Sequence, residues 1–424
     1  MRSLPQVGSK DQYNKRLKHM KIPFCLPLIN NDVISEVNDV FTNTGWITSG
    51  PKVRLFEDEL THLCQTNSTI CINSWTSGMM LLIKWLELDA EDEIIIPTYT
   101  YAASAFSVIN SHVKCVYVDV KNDFTIDIQE VEKAITENTK AIMPVDLGGL
   151  PADYVALNKL LSKKSVKKMF NPKTNFQKKI GRPIVIADAA HSLGSSINGK
   201  PTPLYTDFSI FSFHSVKNIT TAEGGAITFK IFSEEEDGVI LNELRLLALN
   251  GQNKSAFQKN AIGGWRYDIV TNGLKVNMPD INAAIGLAQI KKYKNVLLPE
   301  REQIFSTYNE ILSKYPWAIL PKFVSNNRKS SCHLYQLRVK DFNENQRDEL
   351  ISRLASIDIG VNVHYIPLPM LTYFKNNGLC IKDFPSSYNL YKNEISLPIY
   401  NNLSIESVKY VCLKIVEMIN EINR

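Results

Sequence analysis

The sequence predicts an α/β protein with an open, largely parallel sheet covered by helices on both faces, followed by a smaller α+β unit. Two observations support this fold class. Short apolar runs alternate with amphipathic stretches from about residue 67 to 230, and the 424-residue chain is too long for one ordinary core. We therefore expect an N-terminal segment over residues 1–30, a large domain over 31–300 and a small C-terminal domain over 301–424. The N-terminal segment is expected to pack on the small domain.

Six runs are predicted as strands of the large sheet, because each is apolar, short and bounded by turn or helix signals. They are "TICIN" (69–73), "DEIIIP" (92–97), "HVKCVYVDV" (112–120), "KAIMPVD" (140–146), "RPIVIADAA" (182–190) and "DFSIFSFH" (207–214). Helices are predicted between them at "SGMMLLIKWLEL" (77–88), "DIQEVEKAITENT" (127–139) and "DYVALNKLLSKK" (153–164).

The second unit follows a long helix. Apolar residues at helical spacing predict this helix over 279–312. Beyond it, the predicted strands are "HLYQLRV" (333–339) and "GVNVHYI" (360–366), and the predicted terminal helix is "SIESVKYVCLKIVEMINEI" (404–422).

Composition excludes several classes of function. A net charge of +5 is mild over this length, so nucleic acid is not expected as a partner. The longest apolar runs are far short of a membrane span, and the polar start of the chain lacks a secretory signal. Seven scattered cysteines without a C-x-x-C pair indicate reduced thiols in a cytoplasm. The seven histidines show no metal-ligand spacing, so a cytoplasmic globular enzyme without a metal site is expected.

Two lysine-containing segments are poor candidates for a phosphate site. "SKKSVKKMFNPKTNFQKKIG" (162–181) could form an anion-binding patch, but a solvated loop is favoured because it enters the strand "PIVIADAA" at its N-terminal end. "GSSINGKP" (194–201) has P-loop spacing, yet Pro201 stands where Ser or Thr would bind magnesium, which favours a hairpin turn. No G-x-G-x-x-G and no Ser nucleophile elbow occur. The remaining chemistry needs a lysine and a carboxylate.

Asp188 and Lys217 each follow an apolar strand, in "VIADAAHS" and "FSFHSVKN". Ligands of open sheets bind beyond the carboxyl ends of the strands, so both side chains are expected in one crevice. One arrangement uses both: the lysine forms a Schiff base with an aldehyde cofactor, and the aspartate keeps the cofactor's pyridine nitrogen protonated. That is the chemistry of pyridoxal phosphate (PLP).

A phosphate cradle for such a cofactor is predicted at "INSWTSGMMLL", where small polar residues open onto a helix N-terminus. Ser212 could add a hydroxyl, and Tyr101 in "PTYTYAAS" could cover the pyridine ring. Taken alone, Asp188 is more often a helix cap, Lys217 a surface residue and Tyr101 a core residue. Periodicity and spacing therefore indicate only a candidate Schiff-base lysine.

The chain resembles the DegT/DnrJ/EryC1/StrS family of PLP-dependent sugar aminotransferases over nearly its whole length. The matching segments are "TGWITSGPKVRLFEDEL", "NSWTSGMMLL", "DEIIIPTYTYAASAFSVI", "TKAIMPVDLGGLPADY", "IADAAHSLGS", "FSFHSVKNITTAEGGAITF" and "NGLKVNMPDINAAIGLAQIKK". This resemblance implies fold type I with a seven-stranded, mostly parallel sheet, and PLP as the cofactor. It also implies amino transfer from glutamate to a nucleotide-linked keto-deoxysugar at C4 or C3, for polysaccharide or glycan synthesis.

The resemblance also implies roles for individual residues. Lys217 and Asp188 are implied as the Schiff-base lysine and the partner of the pyridine nitrogen. The implied cofactor contacts are Trp75, Thr76, Tyr101, His191, Ser212 and Lys275. Lys275 occupies a position that reaches a neighbouring subunit's cofactor, so a homodimer with composite active sites is implied. The candidate substrate contacts are Thr48, His214 and His364, with His333 as a further candidate.

Three features depart from the family pattern: Trp75 replaces a small residue, Asp146 and Leu150 replace the usual His and Gln, and residues 162–181 are an unusual insertion. Two alternatives stay open. A PLP-dependent sugar dehydratase is disfavoured because those relatives carry His where this chain has Lys217. A regulatory protein on the same fold is disfavoured by the intact Asp188–Lys217 pair.

Overall fold

The chain is described by a computed structural model that covers residues 21–260, 262 and 264–423. Most of the predicted N-terminal segment therefore lies outside the described residues. The strands are β1 Ser68–Ile72, β2 Glu93–Pro97, β3 Lys114–Val118, β4 Thr139–Ile142, β5 Ile184–Asp188, β6 Ser196–Ile197, β7 Lys200–Pro201, β8 Phe208–Ser212, β9 Gly225–Phe229, β10 Ala318–Ile319, β11 Val324–Ser325, β12 Arg328–Lys329, β13 Tyr335–Val339 and β14 Glu394–Leu397.

Seven strands form the central sheet in the order β1-β9-β8-β5-β4-β2-β3. The pairings are parallel except those of β9, which is antiparallel to both β1 and β8. The predicted seven-stranded, mostly parallel sheet is thus confirmed. Along β2, Ile94 and Ile96 contact one buried cluster and Ile95 contacts another, since successive side chains point to opposite faces.

Helices flank the sheet and continue into the second unit. They are Asn31–Asp39, Pro51–Cys64, Trp75–Trp85, Ala102–Ile109, Ile128–Ala134, Tyr154–Leu161, Lys164–Met169, Asn175–Ile180, Glu234–Leu247, Ala256–Lys259, Asp280–Lys292, Leu298–Leu312, Glu344–Ala355, Thr372–Asn376, Pro385–Tyr391 and Ile405–Ile422. The predicted helix over 279–312 is present, but a π-helical turn, Tyr293–Leu297, interrupts it. No helix in the described ranges is long and apolar enough to cross a membrane.

The C-terminal part has its own three-stranded sheet, β10-β13-β14, and its own apolar cluster. Ile22 belongs to that cluster and pairs with Ile359, with its N–H donating to the carbonyl of Asp358 at 2.9 Å. The described start of the chain therefore contacts the C-terminal part. The domain boundaries at residues 30 and 300 stay predictions.

Two local predictions were wrong. "GVNVHYI" is not a strand; it makes only an isolated bridge between Asn362 and Ser396. Residues 162–181 are not a loop but contain the helices Lys164–Met169 and Asn175–Ile180, because Val166 and Gln177 supply buried anchors. The amide of Gln177 donates to the carbonyl of Leu86 at 3.2 Å. The predicted hairpin at 194–201 is present as β6 and β7.

Candidate active site

A cavity of about 500 Å³ lies where β5 and β8 end beside the N-terminus of the helix Trp75–Trp85. Eight residues predicted for the site line it: Lys217, Asp188, Trp75, Thr76, Tyr101, His191, Ser212 and His214. These side chains come from four separate stretches of sequence. They meet because the carboxyl ends of parallel strands share one edge of the sheet.

Asp188 ends β5 and is buried in the floor of this cavity. Its Oδ2 accepts a hydrogen bond from the Ser104 hydroxyl at 2.7 Å, and its Oδ1 accepts one from the Ala190 N–H at 3.2 Å. Burial raises the pKa of the Asp188 carboxyl to about 6, although both donors and the Lys217 charge oppose the rise. Two donors fix the orientation of the carboxylate.

Lys217 lies in the turn after β8, where its N–H donates to the carbonyl of His214 at 2.9 Å. The side chain is half-buried, and burial lowers the pKa of its ammonium to about 8, while Asp188 acts in the opposite direction. An amine that loses its proton this close to neutrality can act as a nucleophile and as a proton carrier.

His191 is buried three residues beyond Asp188. Its Nδ1 accepts a hydrogen bond from the Gly148 N–H at 3.2 Å, so the neutral ring carries its proton on Nε2. The Tyr365 hydroxyl lies 3.3 Å from that Nε2. Burial, with the charges of Lys217 and His364, lowers the pKa of His191 well below its ordinary value. The ring is therefore neutral and offers an N–H at the cavity.

The helix Trp75–Trp85 presents its N-terminus to the cavity. Ser74 caps it by accepting from the Ser77 N–H at 3.1 Å, which leaves the first N–H groups of the helix to a ligand. A Cβ at Gly225 would lie 2.9 Å from the nitrogen of Trp75, so only glycine lets β9 pass this close. The N-terminus of the helix fits the phosphate of PLP, and the Lys217–Asp188 pair fits its aldehyde and ring nitrogen.

Tyr101 and His214 lie at the mouth of the cavity. Tyr101 is 62% exposed, and its ring centroid is 5.7 Å from that of Tyr365. The exposed His214 places Nε2 3.6 Å from a carboxylate oxygen of Glu223. Both side chains can contact a ligand that enters the cavity.

Three predicted residues lie outside the cavity formed by one chain. The backbone carbonyl of Thr48 accepts a hydrogen bond from the Asp280 N–H at 3.2 Å. The exposed Lys275 donates a hydrogen bond to Asn277. His364 is held by the Ser396 hydroxyl at 3.0 Å from its Nδ1.

His333, the further candidate, also lies outside this cavity. It is buried with its ring centroid 4.2 Å from that of His191. Its Nδ1 is 2.8 Å from Oδ1 of Asn218, so the ring is already in contact with its neighbours within the chain.

Two residues of the site were not predicted. Ser104 is the last residue of the segment "PTYTYAAS". A serine inside a helix has no sequence pattern that would predict its contact with Asp188. Tyr365 follows His364 directly, and it is Tyr365 that lines the cavity. Which of two adjacent residues faces a site cannot be read from an irregular segment.

An open α/β sheet whose carboxyl edge brings a lysine and a carboxylate beside a helix N-terminus is the architecture of PLP-dependent aminotransferases. The chain belongs to the DegT/DnrJ/EryC1/StrS aminotransferase family, whose family model matches residues 27–172 and 174–416. The resemblance in the sequence and the fold type are confirmed, and PLP is the cofactor of this family.

A similar solved structure is that of the candidate sugar aminotransferase Spr1654 of Streptococcus pneumoniae in its PMP form. It is 38% identical with a TM-score of 0.90, and the match covers 95% of this chain and 100% of that one. The same protein has also been solved in its PLP form.

Two similar relatives are named for UDP-linked amino sugars. The UDP-4-amino-4,6-dideoxy-N-acetyl-β-L-altrosamine transaminase of Campylobacter jejuni is 31% identical over 86% of this chain and 89% of its own. The UDP-4-amino-4-deoxy-L-arabinose–oxoglutarate aminotransferase of Shewanella sediminis is 29% identical over 94% of this chain and 98% of its own.

Proposed function

We propose that the protein transfers an amino group from L-glutamate to the C4 or C3 keto group of a nucleotide-linked deoxysugar, making an amino sugar for polysaccharide or glycan synthesis in the cytoplasm. The observation that carries the proposal is the presence of Lys217 and Asp188 in one cavity. The names of the relatives support the substrate class, since both concern amines at C4 of UDP-linked sugars and one includes oxoglutarate, the keto acid that glutamate becomes.

The cofactor, when bound, stores the amino group between the two half-reactions and draws electrons from the substrate carbon. Lys217 Nζ would carry a proton from the donor carbon to the bound cofactor in the first half-reaction and from the cofactor to the sugar carbon in the second, a role suited to its lowered pKa. Asp188 holds the proton on the ring nitrogen, and the Ser104 hydroxyl keeps its carboxylate in place.

The remaining residues of the cavity bind and orient. The N–H groups at Trp75 and Thr76, with the Ser212 hydroxyl, would hold the phosphate at the helix N-terminus. The Nε2–H of His191 would be available to an oxygen of the cofactor ring, and the aromatic ring of Tyr101 would be available to pack against it.

A homodimer forms part of the proposal. Thr48 and Lys275 lie on the same side of the molecule. Asn277, which accepts from Lys275, donates to the hydroxyl of Ser49, the residue after Thr48, at 2.6 Å. Exposed apolar side chains occur in the nearby segments 41–55 and 257–270: Phe41, Ile47, Leu55, Phe257, Trp265, Tyr267, Ile269 and Val270. An exposed apolar surface of this kind favours an interface between subunits.

The test begins with purified protein and its absorbance spectrum before and after glutamate. If glutamate shifts the absorbance band of the cofactor and 2-oxoglutarate is released, the first half-reaction has taken place. Amine formation on a UDP-4-keto sugar is the second. Lys217→Ala is expected to lose several orders of magnitude in rate, whereas Lys230→Ala, which changes an exposed lysine, retains activity.

The alternatives give different outcomes. Loss of a sugar hydroxyl without amine transfer indicates the dehydratase. A protein that binds no PLP contradicts the enzyme and favours the regulatory reading.

A further inference from the structure

A second cavity, of about 530 Å³, lies between the stretch Val120–Asp127 and one face of β13. Gln336 and Arg338 line it from alternate positions of β13, so they share one face of the strand, and Leu334 directly before the strand lines it too. Their neighbours Tyr335 and Leu337 point the other way, into the C-terminal core. The volume is sufficient for a small organic molecule.

Arg338 brings a positive charge into this cavity without a matching carboxylate. In the part of the chain that the structure describes, no carboxylate lies within ion-pair distance of its guanidinium, whose close partner is the Phe124 ring at 6.0 Å. Glu394, the carboxyl group that influences the pKa of Arg338, already accepts hydrogen bonds from the His364 N–H and the Ser396 hydroxyl. A half-buried guanidinium in this state retains its capacity for bidentate bonding to an anion.

The rest of the lining suits an amphiphilic ligand. Lys121 and Lys322 add two further positive charges, and the buried Phe124 and Phe305 supply aromatic surface. Of the two acids in the lining, Asp123 is paired with Arg328 at 2.8 Å. The cavity therefore combines excess positive charge with apolar walls.

One loop separates this cavity from the cofactor site. Gly148 lines the second cavity, while its N–H donates to Nδ1 of His191 at 3.2 Å. A Cβ on Gly148 would lie 2.4 Å from Oε1 of Gln336, so loop and strand are in direct contact. Gln336 also donates to the carbonyl of His364, beside Tyr365, at 2.9 Å. A ligand here would touch Gly148, which donates to His191, and Gln336, which donates to the carbonyl next to Tyr365.

We propose that this cavity binds a small organic anion, with a phosphate or carboxylate head on Arg338 and an apolar body against Phe124 and Phe305. Its occupancy is transmitted through Gly148 and Gln336 to His191. The site would allow a metabolite that is neither donor nor acceptor to adjust the rate of amino transfer.

The test uses PLP-loaded protein, so that the phosphate cradle is already filled, with phenyl phosphate and 3-phenylpropionate as probes and 3-phenyl-1-propanol as the neutral control. Calorimetry is expected to find saturable binding of at least one anion, at one per chain, and none of the alcohol. The tighter anion identifies the head group. Arg338→Gln should weaken binding about tenfold or more, whereas Arg353→Gln, which removes a half-buried arginine of the helix Glu344–Ala355 that does not line the cavity, should not.

If Arg338→Gln fails to fold, binding is measured on the double variant Lys121→Gln/Lys322→Gln instead. A several-fold loss of affinity is expected for it. The bound anion should also change the rate of the glutamate half-reaction in the wild type but not in Arg338→Gln. Absence of saturable binding, or affinity unchanged in the tested variants, overturns the site. Binding without a change of rate overturns the transmission to His191.

Discussion

The hydroxyl of Ser104 donates a 2.7 Å hydrogen bond to Oδ2 of Asp188, so the carboxylate at the floor of the cavity is held by a neighbouring helix. Ser104 itself is buried in the helix Ala102–Ile109 and also contacts the Thr100 hydroxyl at 2.8 Å. The helix that follows β2 therefore positions the acid at the end of β5. This contact favours the ionised form of Asp188.

Ser104→Ala is expected to raise the pKa of Asp188, because it removes a hydrogen bond that stabilises the carboxylate. The acid side of the pH profile of kcat/KM should move to higher pH, with a loss of about tenfold at neutral pH. Ser107→Ala is the control, since that hydroxyl donates to the Ser104 carbonyl and not to Asp188. A profile that does not move contradicts the prediction.

Tyr365→Phe removes the hydroxyl that lies 3.3 Å from Nε2 of His191 but keeps the ring against Tyr101. Because packing is retained, the free energy of unfolding should change by about 1 kcal/mol or less. Transamination should fall by about tenfold, since His191 loses a partner that fixes its ring. Steady-state rates and a melting curve check this, with Tyr373→Phe, at an exposed residue, as the control. Equal rates in the two variants would exclude a positioning role.

Glu394 should make the protein less stable as the pH rises. Its side chain is fully buried, and burial raises the pKa to about 8 from an ordinary value of 4.5. The native state therefore keeps a proton that the unfolded chain releases, so stability is present below 4.5 and is lost as the pH rises through about 8.

Glu394→Gln should abolish this dependence, and the wild type should lose roughly 3 kcal/mol more than the variant between pH 6 and 9. Urea unfolding at several pH values measures the difference. Glu349→Gln, at an exposed residue paired with Arg353, serves as the control. Parallel curves for wild type and Glu394→Gln would show that this carboxyl is not protonated in the native state.

The proposed dimer predicts a change of assembly on Trp265→Glu. Trp265 is 70% exposed, and a charge placed in an apolar interface costs more than it does in water. Sedimentation should show the wild type as a dimer and the variant shifted toward the monomer. Val324→Glu, at an exposed residue of the β11–β12 hairpin, should remain dimeric. A wild-type monomer would contradict the dimer itself.

The sequence predicted six of the seven strands of the large sheet, all but β9, because runs such as Ile94–Ile96 in β2 are apolar on both faces, as buried parallel strands are. It did not predict β14, because Glu394 and Ser396 are polar residues of the kind found in loops. Both are buried in the strand, where they have hydrogen-bond partners. Pattern recognition fails where a polar residue is satisfied by a distant part of the chain.

For the site, the residues at strand ends were predictable, since topology brings such ends together. Lys217, Asp188 and Ser212 all line the cavity. Tyr365 belongs to the C-terminal part and lies in a segment without regular secondary structure. No local sequence pattern predicts the direction of a side chain in such a segment. Lys275 and Thr48 do not line the cavity of their own chain, and their roles stay predictions.

The π-helical turn at Tyr293–Leu297 has a consequence for the length of its helix. The turn holds one residue more than an α-helix does, and each residue rotates the chain by about 100°. Tyr293 reaches the Leu193 carbonyl at 2.6 Å and Asn218, next to Lys217, while Tyr308 beyond the turn belongs to the C-terminal core. Deleting the exposed Asn295 would restore regular helical bonding but rotate Tyr308 away from its core. The contacts of Tyr293 and Tyr308 thus require a particular number of residues between them as well as the two side chains themselves.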